Sequence, residues 1–224
     1  GLLRDLAVFY TLNINNEIYN QKINALSFDF ENLSKDICPQ IAFLKLEIEQ
    51  VPSTYKGSLE NYFIDLKVNK NNFFTDVSNY LSYETGQPTH CYDANKINGK
   101  IVFEQIERDV NFQTLLDKNI ALTNKNPVFL INNDVINLAG VVGGQSTSCS
   151  THSKTVIVEC AFFQPEAIIG KSIKYDIQSE ASHKFERGVD PECHERVLRR
   201  FIKVVSDNAI IKDASIISVS YTHL

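Results

Sequence analysis

Leu2, Leu3, Leu6, Phe9 and Tyr10 recur at three- and four-residue intervals, so the chain is expected to open with an amphipathic helix. A polar stretch rich in asparagine follows, and residues 43–51 then alternate apolar and polar as a strand does. Residues 58–66 read as a helix. Thr75 or Asp76 is the expected cap of another short helix, which carries Val77, Tyr80 and Leu81 and stops at Gly86. His90 then falls in the loop beyond. From Ile101 the texture changes to short strands at 101–106, 128–131, 135–138 and 155–160. Asn132-Asn133-Asp134 is the tight hairpin turn between the second and third. Residues 165–174 read as helix, and Asp190-Pro191 as a cap with proline at the first helical position. The helix after it sets Val197, Leu198, Phe201, Val204 and Val205 on one face. Arg196, Arg199, Arg200 and Lys203 fall on the other, which reads as solvated. These elements predict an α+β class: mixed and antiparallel sheets of short strands layered with flanking helices.

Composition narrows the function classes. With 224 residues, 43% hydrophobic and 22% charged, the chain has the profile of an ordinary soluble globule of one large or two small domains. No apolar run approaches a membrane span and no signal peptide is visible, so no membrane partner is expected. A net charge of −5 argues against an autonomous nucleic-acid binder. Cys38, Cys91, Cys149, Cys160 and Cys193 are scattered without a CxxC pair, which points to reduced thiols and a cytoplasmic setting. His90-Cys91 and Cys193-His194 are adjacent pairs without the spacing of a zinc site, so no metal is expected. The absence of methionine and the start at Gly1 suggest a piece of something larger.

Four stretches could carry chemistry. In "YETGQPTHCYD" (83–93), Gly86 tolerates positive φ and Pro88 locks its own, so the chain itself fixes His90. "NLAGVVGGQSTS" (137–148) sets Gly140, Gly143 and Gly144 after a strand; it is neither a P-loop nor GxGxxG. It reads either as a tight turn or as a place where a ligand approaches the backbone. "TVIVECAFF" puts Glu159 in an apolar strand, where period two leaves Ile157 and Glu159 opposite Val156 and Val158. On pattern alone that is the solvent face. Pointed inward, the carboxyl would need a hydroxyl or a cation. "SEASHKFERGVDPE" (179–192) offers Ser179 or Ser182 as an N-cap and ends its helix at Gly188. Ser182-His183 is no nucleophile pair, since neighbours on a helix point about 100° apart and no GxSxG elbow surrounds them.

Taken in order, "DVSNYLSYETGQPTHCYDANKI", "NLAGVVGGQSTS", "VIVECAFFQPEAI" and "SEASHKFERGVDPE" resemble the bacterial phenylalanyl-tRNA synthetase β subunit, in the inserted module that edits misacylated tRNA. The resemblance covers roughly residues 38–207, and "GLLRDLAVFY" resembles the segment just before the module. It implies a lead-in helix and connector over 1–36, the editing module over 37–207, and a tail over 208–224 leading to a further domain. The implied activity is post-transfer editing, the hydrolysis of Tyr-tRNA(Phe). A hydrophobic synthetic pocket discriminates only about 10²-fold against an isostere that adds a hydroxyl, so a second site that requires the hydroxyl reverses the problem.

By the same resemblance Glu159 contacts the tyrosine hydroxyl, and Pro88 and His90 line its pocket. Gly143 leaves room for the aminoacyl group, and Ala181 is a small residue whose enlargement would block entry. Ser179 stands where the family often has threonine. Ser78 and Asn79 sit on a Thr-Asn pair near the bond to be cut. His90, Asn79 and Ser78 are thus the implied catalytic residues, with His90 or Asn79 orienting a water and a polar or backbone donor near Gly143 facing the oxyanion. Arg187 reads as structural. Further departures are Cys160 for serine, Thr89 and Cys91-Tyr92 where the family favours Leu or Met and Ala-Phe, and a divergent stretch at 54–70. Editing itself needs no cofactor; ATP and Mg belong to the parent synthetase's aminoacylation site. The implied partners are the tRNA(Phe) acceptor end, the tyrosine moiety and the synthetase α subunit in a heterotetramer. The alternative is a non-catalytic module that binds tyrosine, the acceptor end or a partner subunit.

Overall fold

A computed structural model of the chain describes residues 2–13 and 17–221. In chain order its strands are β1 (Asn24–Ala25), β2 (Phe30–Asn32), β3 (Gln40–Ile48), β4 (His90–Asp93), β5 (Ile101–Ile106), β6 (Val110–Gln113), β7 (Asn119–Leu122), β8 (Asn126–Ile131), β9 (Asp134–Leu138), β10 (Val142–Gly143), β11 (Thr155–Phe162) and β12 (Ile211–Ser220). The helices are α1 (Leu2–Phe9), α2 (Glu17–Asn20), α3 (Gly57–Leu66), α4 (Phe73–Thr85), α5 (Pro165–Ile168), α6 (Lys171–Lys174), α7 (Glu180–Phe185) and α8 (His194–Asn208).

Two five-stranded sheets form, in the orders β1-β12-β3-β11-β4 and β10-β9-β8-β5-β2, beside a β6–β7 hairpin. Pairing is antiparallel except for β1 with β12 and β2 with β5. The first sheet is buried on both faces at its central strands β3 and β11. Val156, Val158 and Cys160 of β11 pack with Leu44, Leu81 and Phe201 on the side of α4 and α8. Ile157 and Ala161 pack with Phe43, Tyr92 and Phe129 between the two sheets. A strand covered on both faces reads as a continuous apolar run, which is the texture of "TVIVECAFF". The face of β11 expected to meet solvent is therefore the inter-sheet face, and Glu159 is only 4% exposed.

Other boundaries also move. The N-cap of α4 is Asn72, whose side chain accepts from the Thr75 N–H, not Thr75 or Asp76. Asp76 is buried and accepts from the Asn71 N–H and the Tyr55 hydroxyl instead. Gly86 ends α4 at φ 80°, as expected, but His90 opens strand β4 rather than sitting in a loop. Residues 165–174 form two short helices, broken where Gly170 takes φ 78°. The last helix begins at His194 after Cys193, so Asp190-Pro191 is not its cap. Its basic face is only partly solvated: Arg200 grips Glu84 of α4 through two N–H groups, at 2.7 and 2.8 Å, and Arg196 lies over the Tyr19 ring. Within the expected tail, residues 211–220 supply β12, which pairs with β3 along its length. The hairpin turn at Asn132 and Asn133 has both residues left-handed, φ 51° and 69°, which suits asparagine. In the opening helix the side chains of Leu2 and Leu3, like residues 1, 14–16 and 222–224, lie outside those described.

Candidate functional site

The edge strand β4 and its neighbour β11 run in a register that sets His90 opposite Glu159. Alternation puts His90 and Tyr92 on one face of β4, and their rings meet edge-to-face at 4.4 Å between centroids. That face looks at β9 and β10 of the second sheet, where Gly143 pairs with Asn137. The site is thus a meeting of two sheet edges. The Tyr92 O–H donates to Glu159 Oε2 over 3.1 Å. Asn137 Nδ2 donates to the Tyr92 oxygen at 2.9 Å and to Glu159 Oε2 at 3.4 Å.

Gly143 is where the backbone must lack a side chain. A Cβ there would stand 2.1 Å from His90 Cε1, 2.7 Å from His90 Nε2 and 2.9 Å from Leu115 Cδ2. The imidazole edge and Leu115 of the β6–β7 turn therefore occupy the space that glycine leaves, and the Leu115 N–H donates to the Gly143 carbonyl over 2.9 Å. His90 Nε2 is buried without a hydrogen-bond partner among the described residues. Such an orphan costs about 1–3 kcal/mol and calls for a reason.

Burial sets the charge states. Desolvation raises the Glu159 carboxyl from 4.5 to about 8, with the Tyr92 hydrogen bond pulling the other way. Desolvation lowers His90 from 6.5 to about 4. Near neutral pH both side chains are therefore mainly uncharged. A protonated carboxyl can donate as well as accept, and a neutral imidazole keeps one nitrogen as an acceptor.

Around this centre the other expected residues divide. Pro88 is buried in the turn before β4, where Gln87 Nε2 donates to the Pro88 and Ala161 carbonyls, each at 3.0 Å. The Ser78 hydroxyl is spent on the same segment, donating to the Thr89 carbonyl at 2.7 Å and meeting Thr89 Oγ1 at 2.8 Å. Asn79, one residue on along α4, is exposed, and no hydrogen bond joins it to His90 or Glu159 among the described residues. Ser179 is the N-cap of α7, accepting from the Ser182 N–H at 3.0 Å, and its hydroxyl donates to the Val141 carbonyl at 2.7 Å. That bond ties the start of α7, including half-buried Ala181, to the loop leading into Gly143. Arg187 is exposed and donates to the His183 carbonyl at 2.8 Å. Among the described residues no three His, Cys, Asp or Glu side chains are grouped to hold a metal ion. None of the described helices is long and apolar enough to cross a membrane.

Sequence reasoning assigned no role to Asn137 or Leu115 and read Tyr92 only as a departure. The signal available for the first was a polar residue inside an otherwise apolar strand run, "VINLAG". Leu115 carried none, because its place depends on how the β6–β7 turn folds over Gly143.

The sequence profile of the B3/4 domain matches residues 46–209, which include all eight candidate residues. The chain belongs to the B3/4 domain family. Among its relatives it is similar to the phenylalanine–tRNA ligase beta subunit of Psychrobacter arcticus, with 28% identity over 215 residues, covering 92% of this chain and 26% of that protein. The same-named subunit of Bordetella pertussis is 36% identical over 138 residues, covering 60% of this chain and 17% of that one. This B3/4 chain thus spans about a quarter or less of the length of these relatives. An N-terminal fragment of the Pyrococcus horikoshii phenylalanyl-tRNA synthetase beta subunit shares the fold, with a TM-score of 0.53 at 10% identity over 92% of this chain and 57% of that one.

Proposed function

We propose that this B3/4 chain edits misacylated tRNA, hydrolysing Tyr-tRNA(Phe) as part of a phenylalanine–tRNA ligase beta subunit in the cytoplasm. The observation that carries the reading is Glu159: a carboxyl buried between two sheets, one residue pair across from a histidine whose Nε2 has no partner. A buried carboxyl calls for a hydroxyl or a cation as its partner, and tyrosine differs from phenylalanine by one hydroxyl. Pairing that hydroxyl favours the tyrosyl ester, whereas phenylalanine fills the pocket and leaves the carboxyl without it.

The reaction needs only water. Its oxygen adds to the ester carbonyl carbon, the bond to the terminal ribose oxygen breaks, and the proton lost by water ends on that ribose oxygen. His90, uncharged, offers a nitrogen to hold the water, and Asn79 is an exposed polar group from the neighbouring helix. The Gly143 N–H is the backbone candidate to face the oxyanion, since the Gly144 N–H is given to the Ile136 carbonyl at 2.8 Å. Ser78 acts by holding Thr89, and through it the approach to His90. Ser179 and Ala181 border the loop at Gly143. The partners on this reading are the tRNA(Phe) acceptor end and the ligase α subunit, and ATP and Mg have no part in the hydrolysis.

The competing reading is a non-catalytic module that binds tyrosine, the acceptor end or a partner subunit. One observation favours it: Glu159 already has two internal donors. Single-turnover deacylation of Tyr-tRNA(Phe) by the intact protein and by His90→Ala separates the two. Editing requires rapid release of tyrosine by the first and at least a tenfold slower rate in the second. Tyrosine binding without release by either identifies a binding module.

A further inference from the structure

Tyr92 is fully buried, and its phenol meets the carboxyl that the editing reading assigns to a substrate phenol. Asn137 closes the triangle, donating to the phenol oxygen and more weakly to Glu159 Oε2. Neither bond uses Glu159 Oε1. We propose that Tyr92 is an internal counterpart of the substrate's hydroxyl, which satisfies Glu159 when no hydroxyl is bound and so sets how sharply the site separates tyrosyl from phenylalanyl esters. The proposal rests on the editing reading.

Discrimination is a difference between two bound states. With phenylalanine in the pocket, Glu159 loses access to water, and in most such sites its lost hydrogen bond would be felt in full. Here the Tyr92 O–H and the Asn137 amide stay in place, so Glu159 keeps two donors and the penalty for the wrong ester shrinks. With tyrosine in the pocket, the incoming phenol either takes Glu159 Oε1, which neither internal donor uses, or displaces Tyr92, and in the second case its hydrogen bond is an exchange and not a gain. Both effects lower selectivity. Replacing Tyr92 by phenylalanine keeps the ring, removes the competing hydroxyl, and leaves Asn137 alone on Oε2.

The test compares the intact protein, purified with any subunit it carries, with its Tyr92→Phe and Asn137→Ala variants. Deacylation of Tyr-tRNA(Phe) and Phe-tRNA(Phe) gives the selectivity ratio. Affinities for non-hydrolysable 3′-amide analogues of tyrosyl- and phenylalanyl-adenosine give the same ratio from binding. Tyr92→Phe is expected to raise both ratios about five- to tenfold, the factor one hydrogen bond is worth, mainly by weakening the phenylalanyl side. Asn137→Ala, which removes the weaker donor, is expected to raise them about two- to threefold. Ratios that stay level or fall in both variants, while the parent still hydrolyses Tyr-tRNA(Phe), overturn the proposal and make Tyr92 a support for Glu159. If the parent neither hydrolyses Tyr-tRNA(Phe) nor binds either analogue, the editing reading fails first and takes this one with it.

Discussion

Substituting Glu159 by glutamine keeps shape and polarity and removes only the titration. An acid held at about 8 in the fold and at its ordinary 4.5 in the unfolded chain binds more protons folded than unfolded throughout that window. Stability is therefore fully present below pH 4.5 and lost as the pH rises through 8. At about 1.36 kcal/mol per tenfold difference in proton affinity, the loss amounts to up to about 5 kcal/mol above pH 8. That is a third or more of the total stability of an average domain, about 5–15 kcal/mol. Glu159→Gln escapes it while still accepting from Tyr92 and Asn137 through its amide oxygen. Urea denaturation at pH 5 and pH 8.5 reads the effect through tyrosine fluorescence, since the chain has nine tyrosines and no tryptophan. Wild type and variant should be close at pH 5, and the variant several kcal/mol more stable at pH 8.5. An unchanged difference between the two pH values would show that the carboxyl is already ionised in the fold and that the burial argument is wrong.

His90 gives the acid counterpart. Its value is lowered from 6.5 to about 4, so the stability it contributes is present above pH 6.5 and lost as the pH falls through 4. His90→Phe should flatten that acid limb in the same urea experiment, and an unaltered limb would contradict a neutral buried imidazole. Gly143→Ala places a Cβ 2.1 Å from His90 Cε1, so the imidazole must move. About 1–3 kcal/mol of stability should be lost, with a shifted His90 resonance by NMR, and an unmoved resonance would contradict the contact. Ser179→Ala removes the α7 cap and the bond to Val141 together, for an expected loss of about 1–2 kcal/mol by thermal unfolding. No loss would show that α7 is held by packing alone.

Periodicity carried the helices α3, α4 and α8 and the central strands because their apolar residues repeat over two or more turns or pairs. It misread Glu159, because alternation assigns residues to two faces without saying that a second sheet covers one of them. The start of α8 was missed because Asp190-Pro191 has the chemistry of a cap, while the helix begins after Cys193, which provides no side-chain cap bond. Strand β12 was hidden because "IIKDASIISVS" has a bulge near Asp213 that breaks its alternation. The grouping of His90, Glu159 and Gly143 was legible only through resemblance. Gly143 lies 53 residues after His90 and 16 before Glu159 in the sequence, and only the pairing of β4 with β11 and the contact between sheet edges brings them together. The Tyr92–Glu159–Asn137 triangle is a product of that register and could not be read from any one stretch.

The proposal that Glu159 reads a hydroxyl on the aminoacyl group is tested directly by the ratio of Tyr-tRNA(Phe) to Phe-tRNA(Phe) deacylation rates. The intact protein and its Glu159→Ala variant should be compared under single-turnover conditions. The parent is expected to clear the tyrosyl ester at least about a hundredfold faster than the phenylalanyl ester, and the variant to lose at least about tenfold of that preference. A variant as selective as the parent would contradict the proposal.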